Sequence, residues 1–214
     1  MRFVVVCLLI SIARPLFAQE PPPRIGPFVV DLHGTVPRFP QDAQLADSRQ
    51  PPDGPQLQLA ELPGVGLGVQ VGVHVYVWTW KAITFGVGGE YAAGRARQTP
   101  PSGASLRAAT ETFHTIAPQL SFNFGTGNGW SYVSGGIGGS IWSIVPDGQS
   151  PLPIDSDRTR TIDYGGGARW FIKRHLAFSF DVRFYQIDAG IPYFGNPGSP
   201  RTTLLIAGAG VSVR

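Results

Sequence analysis

The sequence predicts an all-β protein, folded as an eight-stranded antiparallel up-and-down transmembrane β-barrel. Three observations support this prediction: eight long segments of alternating apolar and polar residues, linkers that are alternately long and short, and a composition that disfavours helices. Charged residues make up 14% of the 214 positions, whereas the chain holds 28 glycines, 20 prolines and 24 aromatic residues (5 Trp, 6 Tyr, 13 Phe). This mixture favours strands joined by turns.

The N-terminus has the three parts of a secretory signal peptide. Arg2 precedes the apolar run 3–10, and the small residue Ala18 ends the segment. The run is too short to cross a bilayer as a helix, which needs about 20 residues. We therefore expect three parts: a signal peptide (1–18), a periplasmic N-terminal segment (19–25) and an outer-membrane barrel domain (26–214).

The composition also argues against several classes of function. Cys7 is the one cysteine, and it lies in the predicted signal peptide, so the mature chain has no disulfide and no thiolate metal site. Removing residues 1–18 takes away Arg2 and Arg14 and lowers the net charge from +3 to +1, which is too little and too scattered for binding nucleic acid. No later segment has 18 consecutive apolar residues, so an exported chain of this kind is either soluble or a barrel.

Residues 64–78 show the clearest alternation. The seven odd positions from 65 to 77 are all aliphatic, whereas the even positions hold glycine, Gln70, His74, Tyr76 and Trp78. Strands of soluble proteins are usually about 5–6 residues long, and a tilted membrane strand needs about 9–11. This segment is therefore long enough to cross a bilayer.

Seven further segments alternate in the same way. Each sets aliphatic or aromatic residues on one face against glycine and polar residues on the other. An even number of antiparallel strands lets a barrel close with both termini at one end. The segments are 26–36, 82–95, 112–124, 130–145, 160–171, 175–187 and 201–213.

The linkers between these segments alternate in length. Long stretches rich in Pro, Gly and polar residues include 37–63, 99–103, 146–148 and 196–200. Short turns lie at 79–81, 125–129 and 172–174. This alternation is typical of barrels with long external loops and short periplasmic turns, so both termini are expected to be periplasmic. The proline-rich composition of 37–63 predicts an exposed, ligand-facing loop.

A soluble β-barrel that carries a small hydrophobic ligand is the main alternative fold. Glycine on the polar face favours the membrane barrel, because the interior of eight strands is only just wide enough for side chains. Closure also removes the strand edges that lipid does not tolerate. Aromatic residues beside the short turns predict an interfacial girdle, formed by Trp78, Trp80, Trp130, Trp170 and Phe171.

Two segments carry a resemblance to a known family. The stretch 117–125 and the ending 208–214 resemble the bacterial outer-membrane β-barrel domain family, the small OmpA-type or OmpX-type eight-stranded barrels, and the likeness extends over 26–214. It implies a monomer surrounded by outer-membrane lipid and assembled by the outer-membrane insertion machinery, which reads the C-terminal segment. The chain departs from the family by ending on Arg214 rather than on an aromatic residue.

Eight ionisable residues fall on the predicted inner face. Enclosed charges must pair, because an unpaired buried charge is expensive. We therefore expect a cross-lumen network in which Arg169 and Arg183 meet Asp163 and Asp181, leaving no open channel. This predicts a non-enzymatic role in envelope structure or surface interaction. The eight residues are Asp31, His33, His74, Glu90, Asp163, Arg169, Asp181 and Arg183.

A lipid-modifying enzyme embedded in the barrel is the alternative function. The available groups for nucleophilic or acid–base chemistry are His33, His74, His114 and Glu90. The chain has no Gly-x-Ser-x-Gly nucleophile elbow, no His-x-x-x-His pair and no calcium loop. The sequence therefore predicts no catalytic site, no metal and no cofactor.

Overall fold

Eight antiparallel strands close into a barrel in the computed structural model, which describes residues 24–49, 55–193 and 195–214. Each strand bonds to its neighbours in chain order, and the last strand pairs with the first. The predicted up-and-down barrel is confirmed. The predicted signal peptide lies outside the described residues and stays a prediction. The strands are β1 (Phe28–Arg38), β2 (Leu67–Trp80), β3 (Ile83–Gln98), β4 (Ala109–Thr126), β5 (Gly129–Pro146), β6 (Arg158–Phe171), β7 (Leu176–Ile187) and β8 (Thr202–Val213).

The connections are long at one end of the barrel and short at the other, as predicted. The short turns span 81–82, 127–128 and 172–175. Strand β1 begins and strand β8 ends at the end of the barrel that carries the short turns. There the Arg214 backbone N–H donates to the His175 carbonyl at 3.2 Å. The long connections are named L1 (39–66), L2 (99–108), L3 (147–157) and L4 (188–201).

The outer wall of the barrel carries a continuous apolar band. Within the described strands, the charged outward-facing residues all lie at the loop end: Arg38, Arg95, Arg97, Arg158 and Arg160. Below them the outward positions are aliphatic, aromatic, glycine or uncharged polar. The nine residues 176–184 span roughly 20–25 Å at ~3.3 Å per residue and ~40° tilt, which matches the apolar band of a membrane barrel.

Glycines on the inner face make room for large side chains. A Cβ atom on Gly165 would lie 2.7 Å from Cγ of Arg183, and one on Gly167 would lie 2.8 Å from the Tyr132 hydroxyl oxygen. Neither distance is tolerable for a real side chain. Positions 165 and 167 are therefore glycine because the barrel is narrow and its lumen is filled.

Three of the five predicted girdle residues lie on the outer surface beside the turns. Trp78, Trp80 and Trp170 are 58%, 51% and 50% exposed. A bulge between Tyr76 and Trp78 shifts the register of β2 against β3. The extra residue turns Trp78 outward, where it stacks on Phe85 with ring centroids 5.0 Å apart.

The girdle prediction is wrong for the other two residues. Trp130 is 3% exposed inside the barrel, and half-buried Phe171 stacks on it at the mouth of the lumen, with ring centroids 5.0 Å apart. Trp130 shares the alternation of Tyr132, which faces inward. Closeness to a turn gives the height of a side chain along the barrel, whereas position in the alternation decides which face it occupies.

L1 folds into the loop end of the barrel instead of standing exposed. Its helix α1 (Ala43–Ser48) is capped by the Asp42 side chain, which accepts from the Gln44 N–H at 2.8 Å. Five apolar residues of L1, which we call the L1 plug, are buried in one cluster with side chains of β3, β4, β5, β7 and β8: Phe39, Leu45, Ala46, Leu57 and Leu62. The expected exposed loop is thus wrong for these residues. None of the helices within residues 24–49, 55–193 and 195–214 has the length and hydropathy of a membrane span.

Candidate functional site

The structure places all eight predicted interior residues inside the barrel. Each is at most 4% exposed: Asp31, His33, His74, Glu90, Asp163, Arg169, Asp181 and Arg183. Strand alternation brings their side chains to one face, and closure of the sheet then brings strands that are distant in sequence across the lumen from each other. The partners that they find there differ in part from the expected ones.

Arg183 on β7 contacts three carboxylates, and we call these four residues the Arg183 cluster. Its Nε lies 2.7 Å from Oε2 of Glu90 and 3.0 Å from Oδ1 of Asp181, and its Nη1 lies 3.2 Å from Oδ1 of Asp163. The pairs with Asp163 and Asp181 are those expected from the sequence. Because β3, β6 and β7 each contribute a member, one guanidinium group joins three strands electrostatically.

Uncharged donors also bond each of the three carboxylates of the Arg183 cluster. The Tyr185 hydroxyl donates to Glu90 at 2.6 Å, and the Tyr132 hydroxyl donates to Asp181 at 2.5 Å. The Gln119 amide donates to Asp163. Arg183 itself donates from Nη2 to Oγ of Ser134 at 2.5 Å. These contacts extend the network to β4 and β5.

Arg169 on β6 pairs with Asp31 on β1 rather than with Asp163 or Asp181. Its Nε and Nη2 donate to Oδ1 and Oδ2 of Asp31 at 2.8 and 2.5 Å, a two-pronged pairing that fits the guanidinium fork. The Ser212 hydroxyl donates to the same carboxylate at 2.5 Å. The guanidinium also lies 3.9 Å from the ring centroid of Tyr132, within cation–π range. A second ionic bridge therefore crosses the lumen nearer the turns.

The histidines do not form one catalytic group. His33 Nε2 lies 2.8 Å from Oγ of Ser179, and both residues are fully enclosed. His74 Nδ1 lies 4.0 Å from Oδ2 of Asp31. His114 faces outward and bonds the Tyr91 hydroxyl at 3.0 Å. Glu90 belongs to the Arg183 cluster, so the expected candidates for an enzyme are dispersed.

Loop residues that sequence reasoning missed extend the polar network to the loop end. Arg49 donates from Nη1 to Oδ1 of Asp155 at 2.7 Å and from Nη2 to the Trp142 carbonyl at 3.1 Å. The Trp142 indole N–H donates to Oε1 of Glu111 at 2.7 Å. Trp142 was on the predicted inner face, but nothing periodic in L1 marks Arg49 as buried.

An ion pair between Glu61 of L1 and Arg107 of L2, which we call the lock, holds the two loops together. Arg107 donates to Glu61 from its backbone N–H at 2.6 Å, from Nε at 3.1 Å and from Nη2 at 2.9 Å, and the Gln58 N–H donates at 2.9 Å. Burial of the Glu61 carboxyl opposes ionisation. The Arg107 and backbone hydrogen bonds outweigh this effect and lower the pKa of Glu61 to about 2.

Acid is expected to release L1. The folded-state pKa of Glu61 lies below its ordinary value of 4.5, so the lock is complete above pH 4.5 and is lost as the pH falls towards 2. Pepsin should therefore cleave within 39–66 increasingly fast over this interval.

At neutral pH, E61Q should raise trypsin cleavage of L1 roughly ten-fold, because it removes a charged hydrogen-bond acceptor. R97Q, which removes the exposed Arg97–Asp147 pair, should leave the rate unchanged, and equal rates for E61Q and R97Q would contradict the lock.

A polar cleft of about 410 Å³ lies at the loop end between L4 and the first residues of β6. Its wall includes Arg49, Arg158, Arg160 and Ser199, together with the acidic residues Asp157 and Asp188. Asp188 is engaged by Arg201 at 2.9 Å. The side of the cleft that β6 forms is therefore positively charged, because it carries Arg158 and Arg160.

The comparisons identify the fold. No protein-family model and no curated protein matches the chain. The Neisserial surface protein A (NspA) is similar in structure, with a TM-score of 0.56 and 13% identity over 88% of this chain and 97% of that one. Ail, the attachment invasion locus protein of Yersinia pestis, solved with the heparin analogue sucrose octasulfate, gives a TM-score of 0.51 and 12% identity over 86% of this chain and 97% of Ail. At the level of the fold, these likenesses confirm the expected resemblance to eight-stranded outer-membrane barrels.

Proposed function

We propose that this chain, which has the fold of the eight-stranded outer-membrane barrels, is a non-enzymatic outer-membrane protein with a closed lumen. Its role is to anchor L1–L4 at the cell surface for envelope structure or surface interaction. The observation that carries the proposal is the inverted polarity of the barrel, in which ion pairs fill the interior and an uninterrupted apolar band forms the outer wall.

The outer wall favours lipid as the surroundings of the barrel. Soluble monomers rarely expose apolar patches larger than a few hundred Å². Here every strand presents exposed aliphatic or aromatic side chains, including Leu32, Val73, Leu120 and Phe178. A soluble carrier would need the opposite arrangement, with an apolar lumen for its ligand. The Arg183 cluster and the Arg169–Asp31 pair occupy that space instead.

The connections favour one orientation in the membrane. The short turns, the start of β1 and the end of β8 lie together, which in outer-membrane barrels is the periplasmic end. Arg214 occupies the position where an aromatic residue was expected, and its guanidinium lies 4.0 Å from the ring centroid of Phe171. We propose that this contact packs the end of β8 against the end of β6.

Cell fractionation tests the location. The folded protein should appear in the outer-membrane fraction and migrate differently on a gel before and after boiling, because a closed barrel resists detergent until it is heated. The variant A207D, which adds a charge to the outward face of β8, is the matched control and should reduce the folded band. Recovery of the wild-type chain in the soluble fraction, with no shift on boiling, would contradict the proposal.

One contact favours a second candidate, a lipid-modifying enzyme. His33 and Ser179 are within hydrogen-bond distance at 2.8 Å, as a base and a nucleophile would be. However, Nδ1 of His33 has no partner among the described residues, and both side chains are buried below the L1 plug. A catalytic pair needs a group that orients the histidine and a route for substrate.

Envelope lipid analysis separates the two candidates. Alanine variants of His33, His74, Glu90 and Ser179 should leave the acyl-chain composition of the envelope unchanged relative to the wild type. H114A serves as the control, because His114 lies on the outer wall. A change in composition for H33A and S179A, absent in H114A, would favour the enzyme over the anchor.

A further inference from the structure

Two arginines on the outer wall of β6 have no ionic partner within the described part of the chain. Arg158 and Arg160 face outward and are exposed. Two other arginines at this end of the barrel are engaged instead, since Arg97 pairs with Asp147 at 2.6 Å and Arg201 with Asp188 at 2.9 Å. The loop end of β6 therefore presents two free guanidinium groups, separated by one residue on the same face.

Packing over Gly139 holds the Arg158 side chain close to the barrel wall. Gly139 on β5 pairs with Arg160. A Cβ atom on Gly139 would lie 2.7 and 2.8 Å from Cδ and Cγ of Arg158. The stem of Arg158 thus occupies the space that a side chain would fill at position 139, which brings its charge down the wall beside Arg160.

An apolar groove of about 650 Å³ begins directly below these arginines. Ile162 lies two residues further along β6 from Arg160, on the same face, and pairs with Ile137 across the groove. The groove is deep because Gly135 and Pro118 occupy outward positions in its wall, where they leave space that a larger side chain would fill.

We propose that this part of the outer wall binds one anionic phospholipid, with its phosphate held by Arg158 and Arg160 and one acyl chain in the groove. The inference rests on the proposed function, because it needs the wall to face lipid. Charge complementarity selects the occupant: a guanidinium fork matches phosphate oxygens, and the groove below it accepts only apolar groups. The cleft on the other side of β6 leaves room for the rest of the headgroup.

Native mass spectrometry of the folded barrel in detergent tests the site. Dioleoylphosphatidylglycerol should be retained at one molecule per chain and roughly ten-fold more tightly than dioleoylphosphatidylcholine, because it lacks the choline charge that offsets the phosphate. R158Q/R160Q should lose this preference, and the single variants should each lose part of it. R97Q/R201Q removes the same amount of charge from paired arginines and should retain the preference.

Three results would overturn the site. These are an undiminished preference in R158Q/R160Q, equal retention of the two lipids by the wild type, or displacement of the lipid by glycerol phosphate at equal concentration, which would show that the groove contributes nothing. Each of these leaves the membrane barrel standing if the chain still fractionates with the outer membrane and shifts on boiling. Failure of the proposed function would instead appear as a soluble chain.

Discussion

Replacing Arg183 with alanine is expected to lower the free energy of unfolding by about 3–5 kcal/mol, because it leaves three carboxylates in the lumen without their shared cation. The side chain is 1% exposed, so water cannot take over its role. The cost comes from the uncompensated charges of Glu90, Asp163 and Asp181 more than from the lost attraction. This is the largest effect that we expect from a single substitution in the chain.

Urea unfolding of the barrel in vesicles, followed by the gel shift between folded and unfolded forms, measures this cost. R201A is the matched control, because the Arg201–Asp188 pair is exposed and should contribute about 0–1 kcal/mol. E90Q should cost less than R183A, since Arg183 then keeps two carboxylates, and it provides a readout if R183A does not fold. Equal stability of R183A and R201A would show that the cluster does not hold the barrel together.

Replacing Leu32 with arginine is expected to destabilise the barrel by about 2–4 kcal/mol in a bilayer. Leu32 lies on the outer face of β1, paired with Val71 on β2 and Val211 on β8. It is 53% exposed, so in water a charged residue there would change stability by less than about 0.5 kcal/mol. The size of the effect therefore distinguishes lipid from water as the surroundings of this face.

Unfolding in phosphatidylcholine vesicles, monitored by tryptophan fluorescence, measures the cost. V65R is the control, because Val65 precedes β2 at the loop end, where charge is tolerated at about 0–1 kcal/mol. A cost for L32R no larger than that for V65R would mean that the apolar band is not buried in lipid.

Strand alternation was enough to predict the barrel, because lipid and lumen impose opposite demands on successive residues of each strand. Strand alternation predicts the wrong face for a side chain where the period of two is broken. The bulge after Tyr76 changes the face of Trp78, and the alternation does not reveal an extra residue. For Trp130 the alternation predicts the inner face and closeness to a turn predicts the girdle, and the structure agrees with the alternation.

The same alternation places all eight ionisable residues inside and predicts the partners Asp163 and Asp181 for Arg183, but it does not predict the partner of Arg169. Arg169 and Asp31 are 138 positions apart, and their meeting depends on the tilt and stagger of the closed sheet. Loop contacts were beyond reach for a different reason. Arg49 and Glu61 lie in L1, where packing follows no period, and their burial depends on where β4, β5 and L2 are already placed.

Single-channel recording in a planar bilayer tests whether the lumen is closed. Two ionic bridges and the L1 plug fill the lumen from the turn end to the loop end. We therefore expect no steady conductance from the folded wild-type barrel at neutral pH. A large, steady current through individual wild-type barrels would contradict it.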